Sequence, residues 1–277
     1  MVGLIFGWRT KPMHNRQYTD LAKTAWNEVA PIHWRQSHAL PKEMEDPSKL
    51  FLTPIHQEEL RRIGVEGAAV AQFNCNNGRE LVSIARLGAA KTVGFDISEE
   101  FISQAAVFAR AAGVQSEFVV SDIYEIPADY DGQFDVVVVT AGALCFMPDL
   151  QQYFSVAKRL LKPGGYLSIY ESHPITEMFL KDRNRGSAPL EIVRSYFDDK
   201  PLRHTSGLDY VGGTTYDAQE IYYFHYKLDD VIMAALGLGF RLDLFRETGE
   251  DISQAFRSLE NSELKPPLSY LLALRND

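Results

Sequence analysis

The chain of 277 residues has little of what several protein classes require. It has only two cysteines, Cys75 and Cys145, both just after predicted strands, too few for a disulfide framework in a chain this long. They are read as reduced thiols, which fits a cytoplasmic setting. No apolar run is long enough to span a bilayer, and the opening MVGLIF lacks the basic start of a signal peptide. Basic residues are outnumbered, 28 Lys and Arg against 37 Asp and Glu, for a net charge of −9. That excludes a general polyanion binder, because non-specific nucleic-acid affinity rests on clustered Lys and Arg. No Cys/His cluster has metal-ligand spacing, so no metal is expected. Internal repeats and low-complexity tracts are absent.

What is present is ample core, with 45% hydrophobic residues and 23% charged, enough for one large α/β domain with a cap. The organising stretch is residues 70–98, VAQFNCNNGRELVSIARLGAAKTVGFDIS. A strand through Phe73 runs into Asn74-Cys75-Asn76-Asn77-Gly78. Asn and Gly most readily accept positive φ, so a sharp strand-to-helix turn is expected. Leu81, Ile84, Ala85 and Gly88 then fall on one helix face. A second strand ends on Asp96. A turn of backbone N–H groups followed by a carboxylate at the next strand's end is a nucleoside-binding arrangement in doubly wound sheets.

Along the rest of the chain, Tyr18, Leu21, Ala22, Ala25, Trp26 and Val29 form a helical stripe that Pro31 should end or kink. The proline-rich segment 39–56 reads as a loop. After Asp96, Ser98 caps a helix stopped by Gly113, and Glu117–Val120 is a third strand. Phe134–Val139 is a β-branched run of the kind buried on both faces of a parallel sheet. The helical stripe from Leu150 to Leu161 ends at Lys162-Pro163-Gly164-Gly165, which turns into a fifth strand, Tyr166–Tyr170. Strands predicted at 191–197, 202–210 and 221–226 suggest a small β cap. Its aromatics wall a substrate pocket, pack the cap on the body, or form a dimer surface.

The pieces LLKPGGYLSI, FDVVVVTAGALCFMPD and VGFDIS resemble the class I methyltransferases that use S-adenosylmethionine (SAM), over roughly 65–175 and more loosely over 219–275. More narrowly, WNEVAPIHW, NCNNGRELVSIARLGA, SYF and GLDYVGG resemble bacterial methyltransferases of mostly unassigned substrate. The resemblance implies a doubly wound, mostly parallel, seven-stranded Rossmann-like α/β sheet. It would carry an N-terminal helical lid and linker (1–64), a cofactor core (65–175), a β-rich substrate cap (176–227) and a last helix with two strands (228–277), the last antiparallel. Leu228–Phe240 would be that helix, and Arg241–Phe245 and Ser269–Leu274 the strands.

Carried over residue by residue, the resemblance implies that Phe73, Asn74, Cys75, Asn76 and Gly78 form the cofactor turn. Asp96 would bind the ribose hydroxyls, with Ile97 beside the adenine, Ser121, Asp122 and Ile123 at its edge, and Thr140 and Ala141 by the methionine part. Here the family's acid is Gln72 and its first two turn glycines are Asn74 and Asn76. Trp26, Cys145, His173, Tyr210 and Tyr223 are the substrate-side candidates. His173 at the fifth strand's end is a candidate base and His33 a second. The implied activity is methyl transfer to oxygen or nitrogen of a small molecule by in-line displacement. The alternatives are a SAM or nucleoside binder without turnover and a nicotinamide-dependent oxidoreductase.

Overall fold

The computed structural model describes residues 14–182 and 191–277. The opening MVGLIF lies outside the described residues, as do the first residues of the expected lid and part of the expected cap.

Strands β1 (Ala69–Phe73), β2 (Lys91–Asp96), β3 (Glu117–Val120), β4 (Phe134–Val139) and β5 (Leu161–Ser172) alternate with α4 (Arg79–Arg86), α5 (Glu99–Ala112) and α6 (Leu150–Leu160). Short strands β6 (Leu202–His204) and β7 (Ile221–Tyr223) follow, then α7 (Leu228–Leu236), β8 (Phe240–Thr248) and β9 (Ser269–Asn276). The main sheet has the order β3-β2-β1-β4-β5-β9-β8. β9 runs antiparallel to both neighbours, and the first five strands pair in parallel. Crossovers of this kind bring the loops after β1, β2, β3, β4 and β5 to one edge of the sheet, where ligands bind in such folds.

The valine run of β4 is buried because it serves two cores. Val137 and Val139 join Phe73, Phe95, Tyr153 and Phe154 on one face, while Val136 and Val138 join Val70, Leu81 and Ile84 on the other. Lys162 explains part of the Lys-Pro-Gly-Gly turn. Its Nζ lies 2.8 Å from both carboxylate oxygens of Asp135, which also accepts the Ala69 amide at 2.8 Å, tying β5, β4 and β1 at the far edge.

Four expectations are corrected. Helix α1 (Asn15–Gln36) continues through Pro31 instead of ending there. The helix buries Val29, Ala30 and His33, and Gln104 of α5 donates to the Ala30 carbonyl at 2.9 Å, so docking offsets the one lost hydrogen bond. Segment 39–56 is loop only at Ala39 and over residues 45–53. It contains α2 (Leu40–Met44), whose Met44 is fully buried, and the start of α3 (Pro54–Arg62), N-capped by Thr53 with Pro54 in its first turn.

Among its described residues the cap is largely irregular. Of its expected strands only β6 and β7 form, paired antiparallel over three residues each, and 191–197 contributes an isolated bridge between Phe179 and Ile192. Turn residues such as Gly207, Gly212 and Gly213 limit strand length there, and the Asp209 carboxylate binds the amides of Gly212 and Thr214. Finally, the last helix is shorter than expected and β8 longer, because Gly239, at φ 83°, turns the chain into β8 at Phe240.

Candidate active site

The turn after β1 has the predicted backbone. Asn74 and Asn76 both lie at φ 50° and Gly78 at φ 73°. Gly78 has a second reason to lack a side chain, since a Cβ there would meet the Phe118 ring at 2.6 Å and Ala105 at 2.8 Å. The asparagine side chains are tied internally through oxygen. Asn74 Oδ1 accepts from the buried Tyr153 hydroxyl at 2.8 Å, and Asn76 Oδ1 accepts from the Asn77 amide at 2.8 Å. Phe73 and Cys75 are fully buried, so they offer the edge backbone only. Burial pushes the Cys75 thiol well above its ordinary value, with Asp96 and Glu80 adding to the rise.

Asp96 ends β2 beside this turn. Its Oδ2 accepts from the Asn76 amide at 2.8 Å and its Oδ1 from the Ser98 amide at 2.9 Å. Burial pushes its pKa up to about 6, against the pull of these amides. Ile97 is half-buried next to it. Ser121 joins the same edge through its amide, which donates to the Asp96 carbonyl at 2.8 Å. Asp122 caps the following 3-10 turn by accepting from the Tyr124 amide at 3.0 Å, and Ile123 is buried. Gln72, near the end of β1, is fully buried. Its Nε2 donates to Thr140 Oγ1 at 3.2 Å while its Oε1 has no partner. Ala141 is exposed.

An aromatic roof stands over this edge. Trp26 of α1 meets Phe101 at 5.9 Å, Phe146 at 5.1 Å and Tyr210 at 6.3 Å, and Phe146 meets Tyr223 of β7 at 5.0 Å. Trp26, Tyr210 and Tyr223 thus come together. Cys145, predicted with them, precedes Phe146, and its carbonyl accepts from Phe224 of the cap at 2.7 Å. Tyr210 stands at the open rim of the roof, 54% exposed. Phe146, the ring that joins the two halves of the roof, was missed, although FMPD lay in the recognised stretch.

The two histidines sit differently. His173 Nδ1 accepts from the Ile175 amide at 3.1 Å, and Nε2 faces Glu247 of β8 at 3.0 Å, so both nitrogens are engaged. Its pKa is lowered by burial, against Glu247. His33 is buried between α1 and the cap, with Nε2 3.6 Å from Asp209 Oδ1 and its ring 4.5 Å from Tyr210. Burial lowers its pKa while Asp209 raises it. Asp209 also accepts from Gln36 at 2.8 Å, which makes this the clasp between lid and cap.

Sequence reasoning also passed over Glu171. It is 6% exposed and accepts from the amides of Gly142 at 2.6 Å, Ala143 at 3.0 Å, Leu144 at 3.2 Å and Ser172 at 2.8 Å. An open groove of about 590 Å³ lies elsewhere, between α6, α7 and the cap around Asp199 and Met233. Among the described residues no group of three or more metal-capable side chains converges, and no helix is long and apolar enough to cross a membrane.

Comparison with known proteins agrees with this geometry. Residues 70–165 match the family described as methyltransferase domain. The chain is 31% identical over 152 residues to a ubiquinone biosynthesis O-methyltransferase of Escherichia coli, covering 55% of this chain and 60% of that protein. It is 28% identical over 158 residues to the rice 24-methylenesterol C-methyltransferase 2, covering 53% of this chain and 42% of that one. The chain therefore spans less than two thirds of either relative's length. A solved SAM-dependent methyltransferase from Mesorhizobium loti shares the fold at TM-score 0.57 and 22% identity, over 79% of this chain and 96% of its own. Residues 70–165 thus match a methyltransferase domain, on a sheet whose fold is shared with solved S-adenosylmethionine-dependent methyltransferases.

Proposed function

We propose that the protein transfers a methyl group from SAM to an oxygen of a flat, phenol-like small molecule. The observation that carries this reading is that Asp96, the asparagine turn and the Trp26–Phe146–Tyr223 roof meet at one sheet edge. Asp96 keeps lone pairs beyond its two amide bonds for ribose hydroxyls. Ile97 and Ile123 would flank the adenine, with Ser121 and Asp122 at its edge. The Asn74 and Asn76 amide groups, Gln72 Oε1, Thr140 and Ala141 suit the zwitterionic methionine end. The orphaned Gln72 oxygen is the group that most needs a donor there.

SAM supplies a methyl already activated by its sulfonium. The chain's work is therefore alignment and exclusion of water more than acid–base chemistry. Trp26, Phe146, Tyr210 and Tyr223 offer ring faces and edges to a planar acceptor. Oxygen is preferred over nitrogen because the E. coli relative is named an O-methyltransferase. A SAM or nucleoside binder without turnover is the second reading, favoured by the replacement of two turn glycines and of the acid at Gln72. The nicotinamide reading loses its basis to the domain match and the antiparallel β9. Incubation with SAM and a panel of catechols, phenols and aryl amines, read by mass spectrometry, tests the proposal. A product heavier by one methylene at oxygen supports it. SAM binding with no product across a wide panel favours the binder.

A further inference from the structure

The carboxylate of Glu171 touches none of the residues assigned to the cofactor, yet it is buried and saturated with backbone donors. It stands at the end of β5, and the amides it collects belong to the loop after β4. A charge-assisted bond of this kind is roughly twice as strong as a neutral one, so three of them on one short loop fix its path. That path sets the position of the next two residues. Cys145 Sγ contacts the Gly142 carbonyl at 3.6 Å, the Cys145 carbonyl takes the Phe224 amide, and the Phe146 ring is held between Trp26 and Tyr223. The loop is thus held on one side by Glu171 and on the other by the cap.

We propose that Glu171 is the positioning residue of the acceptor side: by gathering the amides of Gly142, Ala143 and Leu144 it sets where Cys145 and Phe146 meet the substrate. This rests on the methyl-transfer reading for what the loop faces, although the clasp itself does not. The cofactor turn is held separately, by Tyr153 on Asn74 and by Asp96 on Asn76. Loss of the Glu171 charge should therefore loosen one half of the site and spare the other.

Burial raises the carboxyl of Glu171 while its four amides hold it down. The other titratable groups facing it are the Tyr153 and Tyr270 phenols and the Cys145 thiol. All three are pushed upward by burial and stay neutral through the acid range. His173, two residues on, faces Glu247. Asp96 titrates in the same range, but its carboxylate holds the amides of Asn76 and Ser98. Glu177 and Lys181 act on the Cys145 thiol at the loop's far end, so it is the comparison with Glu171→Gln that assigns an acid limb in the protection of residues 142–144.

The test is amide hydrogen exchange of segment 140–146, corrected for intrinsic rates, from pH 7 to pH 4.5, in the unaltered protein and in Glu171→Gln. It is joined to calorimetry with S-adenosylhomocysteine. In the unaltered protein, protection of residues 142–144 is expected to fall about tenfold on acidification. In Glu171→Gln it should be low and flat, with S-adenosylhomocysteine affinity at pH 7.5 within about threefold of the unaltered protein. Unchanged protection in the variant, no acid limb in the unaltered protein, or affinity lost in parallel with protection would each overturn the proposal. If Glu171→Gln does not fold, absence of the acid limb from the unaltered protein still overturns the proposal. Absence of S-adenosylhomocysteine binding by the unaltered protein would remove the methyl-transfer reading instead, whatever the exchange data show.

Discussion

The hydroxyl of Tyr153, a ring fully buried in α6, donates to Asn74 Oδ1 at 2.8 Å, so the first residue of the turn after β1 is anchored from beneath by a side chain. A glycine at position 74 would give Tyr153 nothing to bind. The asparagine thus replaces freedom with a fixed bond, and its αL conformation costs little because Asn tolerates positive φ. Tyr153→Phe should cost about 1 kcal/mol of stability and weaken SAM by about three- to tenfold. Thermal melts and calorimetry on the same samples read both effects.

On the proposed assignment, Asp96 makes the cofactor affinity pH-dependent. Its pKa near 6 means that it is ionised at pH 7.5 and largely protonated at pH 5. SAM affinity should fall across that interval in the unaltered protein and stay weak and flat in Asp96→Asn. The stability effect has the opposite sign. A buried acid with a raised pKa destabilises the fold above its unfolded value, and that cost is relieved as pH falls through about 6. For this group alone, lowering the pH from 7 to 5 should stabilise the unliganded protein, by an amount on the order of 1 kcal/mol. Calorimetric titrations and melts across the interval separate the two.

Phe146→Ala removes the ring shared by the two halves of the roof. Cofactor affinity should be unchanged within about threefold, while KM for a phenolic acceptor rises tenfold or more and stability drops by about 2 kcal/mol. Steady-state kinetics at saturating SAM measure the acceptor effect. A loss confined to cofactor affinity would place Phe146 on the other side of the site.

His173→Ala should lower the melting temperature, because a buried cap and the contact to Glu247 are lost. With both ring nitrogens engaged, turnover at neutral pH is expected to stay within about threefold. A hundredfold loss of kcat with normal SAM binding would make His173 the base.

The sheet was legible because its signals are local and redundant. The β4 valines, the Asn-Asn-Gly turn, Ser98 and Gly113 each announce their own conformation. The turn chemistry in Thr53-Pro54 was equally local, but three prolines in 39–56 outweighed it. Pro31 misled for the opposite reason: helix α1 survives it through docking on α5, which no local window contains. Of the site, the carriers of backbone geometry were visible, whereas Glu171 and Phe146 acquire meaning only from neighbours distant in the chain. Glu171 reaches back 29 residues to Gly142, and Phe146 needs Trp26 and Tyr223. The aromatic richness of the cap announced a wall but not its strands, since Asp209 and the cap glycines shape loops there.

The central claim is that the edge beside Asp96 holds SAM. Calorimetric titration of the unaltered protein and of Asp96→Ala with SAM, with S-adenosylhomocysteine and with NADH tests it most directly. The account predicts micromolar binding of SAM and S-adenosylhomocysteine, a loss of at least tenfold in Asp96→Ala, and no binding of NADH. No SAM binding by the unaltered protein, or binding that Asp96→Ala leaves intact, would contradict it.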